Sequence, residues 1–277
     1  MGSCGDLMPE VTSSFLHVSD LHILGDARRR QHGADTSAVL RRAIPMMSAL
    51  YPDFIVATGD LVSDGSEASY QRLQSLLEPL PVPVHFVMGN DDDRAAFRRV
   101  FRPHEMPSAD PVSEAFEHGE TRFLLLDSVL PGKVEGHLAD EQLGWLEREL
   151  SAHRDRPAWV FLHHPPLPIH LRWLDELGLT NQEEFLSILA RHPQVASVCY
   201  GHVHQVRRFR YCGALFLSAP ALAFQFSPIS QDGEITLEAP GFRRIEIRAG
   251  GRRSWLHFLD GRIVPEPPLP AIPVYVR

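Results

Sequence analysis

Three cysteines in 277 residues (Cys4, Cys199 and Cys212), an odd number with no CxxC pair, exclude a disulfide framework and a cysteine zinc site. Long apolar runs are also missing. The stretch 211–226 comes nearest, but Gly213, Ser218 and Pro220 break it, and a membrane span needs about 20 apolar residues. Met1-Gly2-Ser3-Cys4-Gly5-Asp6 lacks the basic-then-apolar layout of a secretory signal, and Asp6 stands where a myristoylation pattern needs Ser or Thr. These absences predict a cytoplasmic protein with no membrane partner. Basic charge is short as well: 27 Lys and Arg against 35 Asp and Glu give a net charge of −8, which argues against a nucleic-acid polymer as partner. A phosphate-bearing ligand would then need a local source of positive charge, such as metal ions. No Ser or Cys sits in a nucleophile motif.

What is present is ordinary in bulk, with 44% apolar and 22% charged residues, the mix of a globular chain. The length suits one large α/β domain. Fifteen histidines are the outlier, and they cluster. Residues 1–13 are polar and without period and read as a loose tail; 264–277, with Pro265, Pro267, Pro268, Pro270 and Pro273, reads as an extended tail. Between them, 14–263 form one unit. Short strand-like runs at 15–18, 54–57, 84–88, 123–126, 159–162 and 197–200 alternate with helix patterns at 36–50, 66–77, 91–101, 139–150 and 181–191. This alternation predicts an α/β domain with a sheet covered on its faces. Runs at 207–210, 214–217, 242–247 and 254–259 lack intervening helices and predict hairpins that extend a second sheet.

The chemistry follows the strands. After the first come Asp20 and His22; after the second, Gly59-Asp60; after the third, Gly89-Asn90-Asp91-Asp92; then His163-His164-Pro165-Pro166; then Gly201-His202-Val203-His204. In an open α/β sheet the C-terminal strand ends line one crevice. Carboxylates, imidazoles and one amide, without thiolate, suit Mn, Fe, Zn or Co. Asp20, His22, Asp60, Asn90, His163, His202 and His204 are too many donors for one four-coordinate ion, and fit two ions sharing a bridging carboxylate. Each fragment alone is ordinary turn chemistry; five in order, each at a strand end, are not.

In these fragments the sequence resembles the calcineurin-like metallophosphoesterases, whose ordered signature is D-x-H, G-D, G-N-H-D/E, a later His and G-H-x-H. The resemblance runs from about Phe15 to about Ser218. It is nearest to the small bacterial phosphodiesterases of cyclic nucleotides or glycerophosphodiesters, through Gly33 to Thr36 (G-A-D-T), Ser66 to Leu73 (S-E-A-S-Y-Q-R-L) and His163 to Pro168 (H-H-P-P-L-P). It implies a four-layer α/β/β/α sandwich of two mixed sheets, with the C-terminal hairpins in the second. It implies two metal ions, one on Asp20, His22 and His204, the other on Asn90, His163 and His202, with Asp60 between them; His164 is the less expected ligand of its pair. It also implies in-line attack on phosphorus by a metal-bridging hydroxide, without a covalent protein intermediate.

One position departs from that pattern. Asp91 stands where the family has a histidine placed to contact the phosphate or protonate the leaving group. An ionised carboxylate there would repel substrate by about 4 kcal/mol at 4 Å and an effective dielectric near 20. Asp91 is therefore expected to be rotated away, paired with a cation such as Arg94, protonated, or drawn to a metal. Its charge penalises a monoester, with nearly two negative charges, more than a diester with one. Candidates for a replacement acid are His164, His104 and His118, and Arg94 with Asn90 is a candidate substrate contact. Arg28 to Arg30 and Arg207-Arg208 read as surface, and 167–179, with His170, Arg172 and Trp173, as a substrate cap, a dimer contact or core. The expected activity is hydrolysis of a small phosphodiester, a 3',5'- or 2',3'-cyclic nucleotide ahead of a glycerophosphodiester or alkyl or aryl phosphodiester. A phosphomonoesterase on the same metals and a metal-binding protein-interaction scaffold are the alternatives; dimers are common among similar proteins.

Overall fold

A computed structural model describes residues 10–106 and 108–269. The chain runs β1 (Val11–Val18), α1 (Thr36–Ser48), β2 (Phe54–Thr58), α2 (Glu67–Leu77), β3 (Val84–Val87), α3 (Arg94–Phe101), β4 (Glu114–His118), β5 (Thr121–Leu125), α4 (Asp140–Ala152), β6 (Ala158–Phe161), α5 (Arg172–Asp175), α6 (Gln182–Ala190) and β7 (Val195–Tyr200). It continues as β8 (Arg208–Tyr211), β9 (Ala214–Ser218), β10 (Gln225–Phe226), β11 (Ile235–Thr236), β12 (Gly241–Arg248), β13 (Gly251–Phe258) and β14 (Ile263–Pro265). Two six-stranded mixed sheets result, in the orders β14-β13-β12-β1-β2-β3 and β4-β5-β6-β7-β9-β8, beside a short β10-β11 pair.

Side-chain alternation explains why the sheets face each other. On β1, Leu16 and Val18 join the cluster under α1, α2 and α3, while Phe15 points the other way. On β6, Val160 packs with the α4 and α6 residues, while Trp159 and Phe161 turn inward. The inward set, Phe15, Phe54, Phe123, Trp159, Phe161 and Ile245 among others, forms the layer between the sheets; Phe15 stacks on Phe54 at 5.1 Å and meets the edge of Trp159 at 5.3 Å. Helices, sheet, sheet, helices: this is the expected four-layer sandwich.

The structure corrects three expectations. The C-terminal strands divide: β8 and β9 extend the second sheet, but β12 pairs antiparallel with β1, from His17 opposite Arg243 to Val11 opposite Arg248, and carries β13 and β14. The reason is the free edge of β1, whose buried peptide groups need partners that β2 supplies on one side only. Both tail boundaries shift in consequence. Val11 to Ser13 are already strand, and Pro265 ends β14, an edge strand where a missing N–H is tolerated. Residues 1–9 and 270–277 lie outside the described residues. Finally, α3 starts at Arg94 instead of residue 91, because the Asp93 side chain accepts from Ala96 N as its cap, and Asp92 is held upstream by the amides of Gly89, Leu61 and Val62.

Candidate metal centre

Strands β1, β2 and β3 run parallel, as do β5, β6, β7 and β9, so the loops after them emerge at one end of the sandwich. There the backbone is forced. Asp20, His22, Asp60, His202 and His204 have φ between 46° and 68° and make up five of the nine described non-glycine residues with positive φ. Each such residue costs on the order of 1 kcal/mol or more, a strain that recurs at functional sites. Gly59 and Gly201 let the loops close. A Cβ on Gly59 (φ +83°) would lie 2.4 Å from His163 Nδ1, and one on Gly201 would lie 2.1 Å from Ser19 Oγ.

The seven sequence-derived donors meet. Donor atoms of Asp20, His22 and His204 lie within 4.8 Å of one another, as do those of Asp20, Asp60 and His163. Asn90 Oδ1 is 3.2 Å from His163 Nε2 and 3.1 Å from His202 Nδ1. Asp60 Oδ2 stands between the two sets, 3.7 Å from His22 Nε2 and 3.5 Å from His163 Nε2, where a bridging carboxylate belongs.

Hydrogen bonding fixes which ring nitrogen faces inward. Nδ1 of His163 donates to the Thr58 carbonyl and Nδ1 of His204 to the Phe224 carbonyl, each at 2.7 Å. A carbonyl only accepts, so in the neutral rings Nε2 is left as a lone pair turned into the site. His204 Nε2 faces His22 Nε2 at 3.2 Å. Asp20 Oδ2 and His202 Nε2 are buried without a hydrogen-bond partner. Acceptors thus converge with few donors among them, which is the signature of a cation site, and the donor set fits two divalent ions. The proton balance states the same demand. Burial alone would disfavour the charged forms, yet His204 and His163 bring the Asp20 carboxyl down to about 2, and His163 with His22 holds Asp60 well below the ordinary carboxylate range. Asp60 in turn raises His163 to about 10 against its burial, whereas burial and the charge on His163 depress His202 to about 3.

The other candidates separate. His164 is wholly buried; its Nε2 donates to the Val134 carbonyl at 2.9 Å and its Nδ1 accepts from Ser128 Oγ at 2.8 Å. Burial, then the charges on His163 and His202, hold it well below its ordinary value. Arg94 is engaged elsewhere than at Asp91: its guanidinium grips buried Asp127 through two bonds of 2.7 and 2.9 Å and donates to the carbonyls of Val129 and Ala109. His118 pairs with Thr121 at the start of β5, the far end of the sheet, and lies 3.3 Å from Asp53. His104 is exposed beyond α3. Asp91 sits in the cleft, its Oδ2 3.3 Å from His22 Nδ1. The basic runs are surface or structural, with Arg28, Arg29 and Arg30 paired to Asp26, Asp64 and Asp35 and Arg208 to Glu266.

Of the walls, the sequence pointed only to the 167–179 segment with Trp173. The cleft, about 510 Å³ counting its open mouth, is lined beyond the polar cluster by His32, Val134, Trp173, Leu174, Phe224 and Phe226. Trp173, on α5, meets the edge of Phe226 at 4.9 Å, and His32 that of Phe224 at 4.8 Å. The signal for Trp173 was its place after the His163 loop; nothing in 211–226 marked its two phenylalanines.

Three comparisons bear on this arrangement. The chain is 34% identical over 239 residues to the 3',5'-cyclic adenosine monophosphate phosphodiesterase CpdA of Pseudomonas aeruginosa, covering 86% of each. It is 31% identical over 240 residues to a 3',5'-cyclic-nucleotide phosphodiesterase of Nostoc, covering 86% of this chain and 89% of that one. It is also 31% identical over 221 residues to the glycerophosphodiester phosphodiesterase GpdQ of Enterobacter lignolyticus, covering 78% and 80%. A dimetal phosphatase from Danio rerio shares the fold, with a TM-score of 0.71 at 16% identity over 93% of this chain and all of that one. The family profile described as calcineurin-like phosphoesterase matches residues 13–206, the span that supplies all seven converging donors, and the chain belongs to that family.

Proposed function

We propose that this protein is a dinuclear metal-dependent phosphodiesterase whose substrate is a small phosphodiester, with a 3',5'-cyclic nucleotide favoured. The observation that carries the reading is the convergence of Asp20, His22, Asp60, Asn90, His163, His202 and His204 in one cleft. In this reading Asp20, His22 and His204 hold one ion, Asn90, His163 and His202 the other, and Asp60 both. Manganese, iron and zinc all accept this donor set. Two such ions supply Lewis acidity: they ease ionisation of a water near neutral pH and neutralise phosphoryl oxygens, which lets a chain of net charge −8 take an anion.

The chain's own residues do the rest. Strained loops and carbonyl-anchored imidazoles preset the donors, so little reorganisation is left for the reaction. Trp173, Phe224 and Phe226 offer flat apolar faces beside the polar cluster, suited to a nucleobase attached to the reacting phosphate. The cyclic-nucleotide choice also draws support from the two relatives with that printed activity; GpdQ keeps glycerophosphodiesters as the second reading. No described helix is long and apolar enough to cross a membrane, in keeping with the cytoplasmic location proposed here.

Stacking of a base on an aromatic face contributes roughly 1–3 kcal/mol. Trp173→Ala is therefore expected to lower kcat/KM for 3',5'-cyclic AMP by roughly 5- to 150-fold. With glycerophosphoethanolamine, which has no base, the loss should be under about threefold. Equal losses on the two substrates would remove the base from the proposed pose.

A further inference from the structure

Asp91 replaces a histidine of the family signature, and its surroundings give the carboxylate a task an imidazole could not perform. Its Oδ2 lies 3.3 Å from Nδ1 of His22. Its Oδ1 accepts from Nδ2 of Asn90 at 3.0 Å. Its own peptide N–H donates to Oδ1 of Asp60 at 2.9 Å. One residue thus touches a donor from each proposed ion set and the carboxylate between them.

We propose that the Asp91 carboxylate is a positioning group for both ions, orienting His22 for one and Asn90 for the other; this rests on the dinuclear reading above. An ionised carboxylate only accepts, so whatever faces it must present a proton. For His22 that places the proton on Nδ1 and turns a bare Nε2 towards His204 Nε2, 3.2 Å away, and Asp60 Oδ2. For Asn90 it fixes the amide: Nδ2 turns to Asp91 and Oδ1 to His163 and His202. A flipped amide would set oxygen against oxygen at Asp91 and an N–H against the ring nitrogens. His163 and His204 get the same service from the carbonyls of Thr58 and Phe224. Asn90 gets it from Asp91 through a hydrogen bond, and His22 from the Asp91 carboxylate that stands 3.3 Å from its otherwise unpartnered Nδ1. A neutral imidazole has a single acceptor nitrogen and could serve one of the two, so this arrangement belongs to the aspartate. It also directs the negative charge at two N–H donors, which lessens the repulsion a free carboxylate would impose on a phosphate.

Groups that orient metal ligands typically affect metal affinity by roughly 10- to 100-fold when removed. The test is calorimetric titration of the metal-stripped full chain with manganese alone. The wild type should show two binding events. Asp91→Ala should weaken both by roughly 10- to 100-fold, and the isosteric Asp91→Asn, with one acceptor, should weaken one far more than the other. In a His22→Ala background, Asp91→Ala should cost nothing further at the ion that His22 serves. Affinities within about twofold of wild type in Asp91→Ala, or full additivity with His22→Ala, would overturn the proposal. A wild type that binds two manganese ions yet cleaves no phosphodiester would defeat the proposed activity and leave the positioning role to stand on its affinities. A wild type that takes up no manganese would overturn both.

Discussion

Asp60→Asn is expected to cut kcat/KM on any accepted phosphodiester by roughly 10³-fold or more, with bound metal falling from about two ions per chain to one or fewer. The substitution keeps the shape of the side chain and removes its charge. That charge matters because Asp60 is the one described carboxylate within 4 Å of both His22 and His163, and its own oxygen is already braced by the Asp91 amide. An amide oxygen there would bind one cation weakly and could not offset two. Because neighbouring His163 and His22 hold the carboxyl well below its ordinary range, it is ionised across the whole neutral region. Asparagine carries no ionisable group, so raising the pH should not recover the loss. Metal analysis and rates on the same preparation check this; an Asp60→Asn enzyme that keeps two ions and activity within tenfold would remove Asp60 from the bridging position.

The second large effect concerns the backbone. Gly59→Ala is expected to destabilise the fold by about 3–5 kcal/mol and to lower Tm by roughly 6–15 °C, whereas Gly33→Ala should cost about 1 kcal/mol. Both glycines have φ of +83°, so the left-handed strain is common to the pair. They differ in what a Cβ would meet. At Gly33 there is nothing within 4 Å; at Gly59 the new carbon would lie 2.4 Å from His163 Nδ1 and 2.8 Å from the Gly89 nitrogen. His163 cannot give way without losing its bond to the Thr58 carbonyl. Thermal melts of the two variants beside wild type decide the matter. Equal losses would mean that strain alone, and no close approach to a metal-site histidine, explains the glycine in Gly-Asp.

The polar centre was legible because its information is local. A parallel strand that ends in a turn must place the next side chains at one edge of its sheet, so Asp20, Asp60, Asn90, His163 and His202 could be put together from order alone. Roles that depend on contacts across the fold were not. Arg94 looked like a partner for Asp91 by its spacing of three, but Asp127, thirty-three residues away, holds it. His164 adjoins a proposed metal-site histidine in sequence and lies beside it in space, yet its two nitrogens are engaged by Ser128 and Val134. The return of β12 to β1 pairs residues more than 220 positions apart, and neither strand carries a mark of its partner. Phe224 and Phe226 line the cleft because the β10–β11 pair folds over it; in the sequence they end an apolar run like any other.

The most direct test of the account is a side-by-side rate measurement on the manganese-loaded chain with 3',5'-cyclic AMP, bis(p-nitrophenyl) phosphate and p-nitrophenyl phosphate. Both diesters should be turned over, with a kcat/KM for the monoester at least roughly tenfold below that for bis(p-nitrophenyl) phosphate, because the Asp91 carboxylate repels a second negative charge more than the first. A preference for the monoester, or two bound ions with no turnover of either diester, would contradict it.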